Sequence, residues 1–238
     1  MYQISVGNIT IDVVRKDIKN LHLAVYPPDG RVRIASPLKM DDEAVRLFVI
    51  SKMGWIKKQK QKFTDQERQS RREYISGESH YFMGKRYLLK VIYHDGSPKV
   101  EIPDKTHMHL LVRKGSNRIQ RERVLIEWYR KELKKAIPAI IEKWQPIIGV
   151  SIREWRVKWM KTKWGTCNTK DKRIWLNLEL AKRPVRCLEY IVVHEMLHLI
   201  ERKHNQIFIA HLDKHVPQWR SIRKELNQYI SSYDSWSH

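Results

Sequence analysis

Two histidines and a glutamate, His194, Glu195 and His198, lie inside a strongly apolar stretch of the chain. Pro184 suits the first position of a helix, and the apolar spacing beyond it predicts a helix of about five turns. The apolar positions are Val185, Leu188, Ile191, Val192, Leu199 and Ile200. Such a helix must be buried, and burying two imidazoles and a carboxylate is costly unless something compensates these polar groups. The fold therefore has to enclose these three side chains and supply them with partners.

Histidines four positions apart on a helix face the same side, because they are separated by about 40° around the axis and about 6 Å along it. His194 and His198 therefore predict a chelate for one metal ion. Glu195 follows on the flank of that face, where a carboxylate reaches water at the metal without being a ligand. This spacing is the signature of the zincin metallohydrolases. The alternative is a pair of hydrogen-bonded core histidines that arose by chance in a chain with 11 His.

The charge balance of the chain predicts anionic partners. Its 238 residues include 47 Lys and Arg against 26 Asp and Glu, a formal net charge of +21. This excess favours nucleic acid, nucleotide phosphates or acidic protein surfaces, and the alternative is a solvated cationic surface without a dedicated partner. No apolar segment is long enough to span a bilayer and no signal pattern begins the chain, so we expect a cytoplasmic protein without membrane contact. We expect the two cysteines, Cys167 and Cys187, to be reduced.

The first half of the chain, residues 1–116, is predicted to be a β-rich module with one inserted helix. Short strands fill the first forty residues, and Asp41 or Asp42 then caps a helix that continues into a lysine-rich stretch. The polar segment from Thr64 to Arg72 is expected to be an exposed helical extension or a linker. Strand-like alternation returns from Tyr81 to Val112.

The second half, residues 117–238, is predicted to begin with a long helix near Asn117 that Pro138 should kink. Three short strands are expected before the helix that carries His194, and a last helix closes the chain. The expected ranges are Glu154–Trp159, Lys163–Cys167 and Ile174–Leu180 for the strands and Pro217–Tyr229 for the last helix. This order of long helix, small sheet, His-Glu-x-x-His helix and closing helix is that of a compact zincin-like catalytic domain, so the fold class is α+β.

Sequence motifs along nearly the whole chain are similar to those of one family. They are Trp55-Ile56, the Tyr74-to-Tyr87 stretch with Gly77-Glu78 and Gly84, Trp164-Gly165-Thr166-Cys167, Ile174, Leu176-Asn177, Pro184, Tyr190 to Glu195 with His198-Leu199, and His204 with Phe208. Together they resemble the YgjP-like metallopeptidases, which are relatives of the SprT-like proteins. The departures bear on substrate detail and not on the metal: the family usually has Arg at Lys163, often Ser at Thr166 and often Trp at Ile209.

The resemblance implies a metallopeptidase that holds one zinc ion per chain, or another divalent metal, through His194, His198 and His204. His204 lies six residues beyond His198, a spacing seen in several zincins. An unbroken helix would rotate His204 about 240° away from His198, so the chain must leave helical geometry near residues 201–203. Otherwise His204 is only a partner of the helix dipole. The alternatives for the third ligand are His211, Glu201 and Asp213.

The implied chemistry makes Glu195 the general base for the attacking water. In zincins, an edge strand beside the metal helix commonly receives an extended peptide. The expected substrate contacts are therefore Lys163, Trp164, Gly165, Thr166 and Cys167. Arg156 and Lys158, on the strand before, add a row of cations, which indicates an anionic substrate or protection of an edge strand against aggregation.

Three functions are compatible with these patterns. The first is zinc-dependent hydrolysis of peptides. The second keeps the metal and changes the substrate to a nucleotide, as a pyrophosphohydrolase of a nucleoside triphosphate such as UTP, because cations cluster near the expected site. The third is a nucleic-acid-associated protease or binding protein whose basic N-terminal module binds the phosphate backbone.

Overall fold

The computed structural model describes residues 2–26, 30–65, 72–160 and 163–229. These residues form two compact units: the first contains the described residues of 1–69, and the second contains those of 70–228. The segment expected to be an extension or linker, Thr64 to Arg72, lies largely outside the described residues. Within the described ranges, no helix is long and apolar enough to cross a membrane.

The first unit is a four-stranded sheet with two helices. The strands are β1 (Tyr2–Val6), β2 (Ile9–Lys16), β3 (His22–Tyr26) and β4 (Arg31–Pro37), and the helices are α1 (Asp42–Ser51) and α2 (Met53–Asp65). The strand order is β1-β2-β4-β3, in which β2 and β4 are parallel and the other pairs are antiparallel. Alternate side chains of β2 and β4 form one core with α1, because alternate residues of a strand share a face.

The inserted helix begins at Asp42, and Asp41 is its N-cap. The Asp41 carboxylate accepts a hydrogen bond from the backbone N–H of Ala44, at 2.7 Å, which satisfies a donor of the first turn. The helix is interrupted once, because α1 ends at Ser51 and a turn at Lys52 separates it from α2.

The second unit begins with another four-stranded sheet. Its strands are β5 (Ser79–Phe82), β6 (Lys85–Tyr93), β7 (Lys99–Glu101) and β8 (His107–Val112). The strand order is β5-β6-β8-β7, with β6 and β8 parallel. This sheet belongs to the same compact unit as the helices that follow, so the division expected between residues 116 and 117 falls inside that unit.

The rest of the second unit contains a three-stranded sheet and four α-helices. In chain order its elements are α3 (Arg118–Ile148), β9 (Glu154–Lys158), β10 (Gly165–Asn168), β11 (Arg173–Asn177), a 3-10 helix (Leu178–Lys182), α4 (Val185–Leu197), α5 (Gln206–His215) and α6 (Trp219–Tyr229). The strand order is β10-β11-β9, with β10 antiparallel and β9 parallel to β11. α3 starts with a capping box of Asn117 and Gln120 and continues as one helix through Pro138. The mixed content of helices and sheets confirms the α+β fold class.

The strand expected to reach Leu180 ends instead at Asn177. The Asn177 side-chain oxygen accepts a hydrogen bond from the backbone N–H of Glu179, at 3.1 Å, and a 3-10 helix begins there. Leu178 and Leu180 are nevertheless buried, with exposures of 3% and 0%. The alternation of apolar residues correctly predicted that Leu178 and Leu180 are buried. They are buried in a 3-10 helix, however, and not in a continuation of the strand.

The turn between β5 and β6 contacts the start of α4. Gly84 has φ +82, and a Cβ at this position would lie 2.7 Å from Cγ of Pro184, the N-cap of α4. The backbone N–H of Met83 also donates to the carbonyl of Ala181, at 2.8 Å. Glycine is therefore required both for the left-handed conformation and for the close approach. Through this contact the second sheet helps to position the helix that carries His194.

Candidate metal centre

α4 is buried around most of its circumference, as its apolar sequence predicts. It contacts α3, β10, β11 and the 3-10 helix. His194 and Glu195 are each only 2% exposed, so both polar side chains lie in the protein interior. The buried apolar residues of the helix are Cys187, Leu188, Tyr190, Ile191, Val192, Val193, Met196 and Leu197.

Three imidazoles converge at the end of α4. One nitrogen from each of His194, His198 and His204 lies within 4.8 Å of the others, and within the described ranges this is the only group of three potential metal ligands. The Nε2 atoms of His194 and His204 are 3.0 Å apart. Three neutral imidazoles that leave a further position open are a donor set of catalytic zinc sites. The residues present therefore fit a metal ion of this kind.

The path of the chain after α4 brings His204 to the other two histidines. The helix ends at Leu197 with His198 as its C-cap, and the backbone N–H groups of the next two residues bond to carbonyls three positions back. The chain therefore leaves helical geometry between His198 and His204, as ligation by His204 requires. The helix ends at Leu197, a few residues before the predicted position at residues 201–203. α5 starts only at Gln206, so His204 lies in the connecting segment.

The alternative third ligands are engaged elsewhere. The Glu201 carboxylate accepts from the backbone N–H of Lys203, at 2.9 Å. The Asp213 carboxylate accepts from Nε1 of Trp219, at 2.8 Å. His211 lies on α5 and is not a member of the three-histidine group. Of the four residues considered, the structure brings His204 alone to His194 and His198.

Phe208 packs against all three imidazoles. Its ring centroid lies 4.9 Å from that of His194, 4.8 Å from that of His198 and 4.7 Å from that of His204. The side chain of Asn205 caps α5 by accepting from the backbone N–H of Phe208, at 3.1 Å. The family motif includes Phe208, but only the structure shows that its ring contacts the histidine cluster.

The surroundings of His198 favour the state that a metal ligand requires. Its Nδ1 lies 3.1 Å from the carbonyl oxygen of Glu201, so a proton on Nδ1 is held there and the Nε2 lone pair remains available. Burial lowers the pKa of His198. A neutral imidazole oriented by a backbone carbonyl is the usual form of a metal-binding histidine.

Glu195 lies directly beneath Gly165 of β10. A Cβ added to Gly165 would lie 2.6 Å from Oε1 of Glu195 and 2.7 Å from its Cγ, closer than real contacts allow. Burial raises the pKa of Glu195 to about 8, and the charge of Lys163 opposes this shift. The strand and the carboxyl group therefore fit together only because residue 165 has no side chain.

The segment expected to bind substrate surrounds this contact. Lys163 is exposed just before β10, Trp164 is 4% exposed, and Thr166 and Cys167 are half-buried. Burial, followed by the charge of Glu195, raises the pKa of the Cys167 thiol to about 12, so this thiol is protonated at neutral pH. Among the described residues, β10 pairs only with β11, so its other edge is open in the sense that no described strand pairs with it.

Arg156 and Lys158 were expected to form a row of cations along the substrate edge, but they do not lie at that edge. Both belong to β9, which occupies the opposite edge of the sheet from β10. Arg156 forms an ion pair with Glu154, and Nζ of Lys158 lies 3.2 Å from the ring centroid of Trp175. Strand order within a sheet is set by long-range pairing, which the sequence pattern did not reveal.

Two residues near β10 make contacts that the sequence did not predict. Nδ2 of Asn177 donates to the carbonyls of Lys163, at 2.7 Å, and Met160, at 2.9 Å, so this buried amide positions the chain entering β10. An Asn within an alternating apolar run was the available signal. Arg202 donates to Oγ1 of Thr169, just after β10. Nothing in the sequence distinguished Arg202 from the many other cations.

An α+β fold with three histidines gathered around a His-Glu-x-x-His helix defines a candidate metallohydrolase. The model of the YgjP-like metallopeptidase domain matches residues 19–229, and the chain therefore belongs to the YgjP-like metallopeptidase family. This family implies a metal-dependent hydrolase, in agreement with the resemblance described above.

The solved structures similar to this chain include that of the metallopeptidase zymogen of Pyrococcus abyssi abylysin. The two chains are 18% identical with a TM-score of 0.38, and the match covers 41% of this chain and 98% of that one. The comparison with curated proteins gives no match.

Proposed function

We propose that this protein is a zinc-dependent peptidase in which His194, His198 and His204 bind one zinc ion and Glu195 is the general base. One arrangement supports the proposal. Three imidazoles lie together, the buried Glu195 carboxyl group is next to them in sequence, and strand β10 lies over that carboxyl group with one edge unpaired among the described residues. Three imidazole ligands favour zinc over magnesium or calcium, which prefer oxygen ligands.

In the proposed mechanism, Glu195 transfers the proton and strand β10 binds the substrate. Zinc, when bound, lowers the pKa of water and polarises the substrate carbonyl. Glu195 accepts a proton from the attacking water and delivers it to the amine that leaves when the C–N bond breaks. The open edge of β10 holds an extended substrate by backbone hydrogen bonds.

The proposal is tested by removing the metal. We expect the zinc-loaded protein to hydrolyse casein or unstructured peptides, to lose this activity in a chelator, and to regain it on addition of zinc. Mass spectrometry of the products identifies the bonds that are cleaved. Failure to cleave any peptide in the zinc-loaded state would refute the peptidase assignment.

A nucleotide pyrophosphohydrolase is the second candidate function. Lys163 and Arg202 are two cations near β10 that form no ion pair among the residues that the structure describes, and such cations also bind phosphate. Nucleoside triphosphates, including UTP, are therefore assayed in parallel for pyrophosphate release. Chelator-sensitive release without peptide cleavage would favour this second function.

Gly165→Ala is expected to reduce peptide hydrolysis by at least about 100-fold, because the new methyl group must displace the Glu195 carboxyl group and small displacements of catalytic groups have effects of this size. The rate is measured together with zinc content, which should stay at the wild-type level. Gly54→Ala is the matched control, since a Cβ there would meet nothing within 4 Å beyond its chain neighbours and the backbone of its own helix. Wild-type activity in Gly165→Ala would show that this contact does not position Glu195.

A further inference from the structure

Two cations stand at the two ends of β10. Lys163 lies two positions before the strand begins, and Arg202, from the segment after α4, donates to Oγ1 of Thr169, the first residue after the strand. Both side chains are exposed. Within the described part of the chain neither of them pairs with a carboxylate, whereas Arg156 and Arg173 near the same sheet do.

Both cations lie beside the part of β10 that covers Glu195. Gly165 and Cys167 are alternate residues of β10 and share one face of the strand, and Gly165 lies against the Glu195 carboxyl group. Lys163 precedes Gly165 by two positions, and Arg202 bonds to Thr169, two positions after Cys167. The positive potential of Lys163 and Arg202 therefore extends along the strand that covers Glu195.

The separation of the two cations indicates the shape of the ligand that they suit. From residue 163 to residue 169 an extended chain spans about 20 Å. One cation at each end of such a strand suits charges distributed along an extended polypeptide, whereas a triphosphate is best held by cations that converge on it. The open edge of β10 offers the backbone groups to which such a polypeptide would bond.

We propose that the β10 edge selects peptides with acidic side chains, and that Lys163 and Arg202 are the residues that determine this specificity. The inference rests on the proposed peptidase function, because it assigns a substrate class to the same site. It also gives two of the 47 basic side chains of the chain a defined role.

The test uses pairs of quenched fluorescent peptides that differ only by Asp against Asn, or Glu against Gln, at each position around the cleaved bond. We expect the zinc-loaded wild-type protein to cleave the best acidic peptide with a kcat/KM about three- to fivefold above that of its amide counterpart, which is the upper part of the range for an exposed ion pair. The preference should shrink at high salt, because salt screens exposed charges.

The variants Lys163→Met and Arg202→Met should each reduce this preference toward unity, while Lys163→Arg and Arg202→Lys, which keep the charge, should retain most of it. Lys90→Met is the matched control, because it removes one exposed cation from β6, in the other sheet of this unit. Equal loss of the preference in Lys90→Met would mean that overall charge, rather than these two residues, is responsible. That result would overturn the assignment.

Binding of the labelled peptides to the Glu195→Gln variant, followed by fluorescence anisotropy, separates recognition from hydrolysis. Selective binding of acidic peptides without wild-type cleavage would refute the peptidase and leave the recognition intact. Equal binding and equal cleavage of acidic and amide peptides would refute the inference and leave the peptidase intact. If Lys163→Met weakened binding of a nucleoside triphosphate but not of acidic peptides, the cations would serve phosphate and the inference would be wrong.

Discussion

Glu195→Gln is expected to lower peptide hydrolysis by about 10³-fold while the protein still binds zinc fully. The amide has nearly the same size as the carboxyl group, so it fits beneath Gly165, but it cannot accept the proton of the attacking water. Glu195 is not a member of the three-histidine group, so its replacement leaves the proposed ligands in place. The measurements are kcat on a cleaved peptide and zinc content by elemental analysis.

Glu189→Gln is the matched control for this experiment, because it makes the same substitution on the same helix. Glu189 accepts hydrogen bonds from Lys143 and from Nε1 of Trp144, and a glutamine oxygen can still accept them. We expect this variant to keep wild-type activity. A Glu195→Gln protein that carried its full zinc and turned over at the wild-type rate would remove Glu195 from the mechanism.

His204→Ala is expected to weaken zinc binding by at least about 100-fold, and to abolish hydrolysis at limiting zinc. Loss of residues that merely support a ligand already costs about 10- to 100-fold in metal affinity, and loss of a ligand should cost no less. His194 and His198 would remain as a two-point chelate on one side of the metal. Affinity is measured by competition with a chromophoric chelator.

His211→Ala provides the comparison for His204→Ala, since His211 is an imidazole on the next helix and lies outside the cluster. Zinc should raise the melting temperature of the wild-type protein and of His211→Ala, because a ligand that binds only the folded state stabilises it. His204→Ala should lose most of this rise at the same zinc concentration. Undiminished zinc affinity in His204→Ala would exclude His204 as the third ligand.

The parts of the structure that were predictable from sequence depend on neighbours a few residues away. The N-cap at Asp41 follows from one side chain and the backbone N–H of Ala44. The buried α4 follows from the apolar residues around His194, and these are local in the same way. Hydrogen bonds and side-chain faces in a helix repeat every three to four residues, so a short window of sequence is enough to predict where a helix begins and which side of it is buried.

The parts that were not predictable depend on which distant segments pair. The sequence places Arg156 and Lys158 just before the substrate segment, but β11 lies between β9 and β10 in the sheet. Similarly, the apolar alternation through Leu178 and Leu180 predicted a longer strand, where Asn177 starts a 3-10 helix. Alternation reports burial, and burial alone does not distinguish a strand from a short helical turn.

The sequence by itself determined that His194 and His198 share a helix face with Glu195 beside them, because the geometry of a helix is local. It also indicated His204 by spacing, although it left three other residues open as the third ligand. Only the tertiary structure decided that His204 joins the cluster, that Gly165 lies over Glu195, and that Arg202 reaches the end of β10. Those contacts join segments that are separated along the chain, and their positions follow from packing of the sheet against α4 and of Phe208 against the histidines.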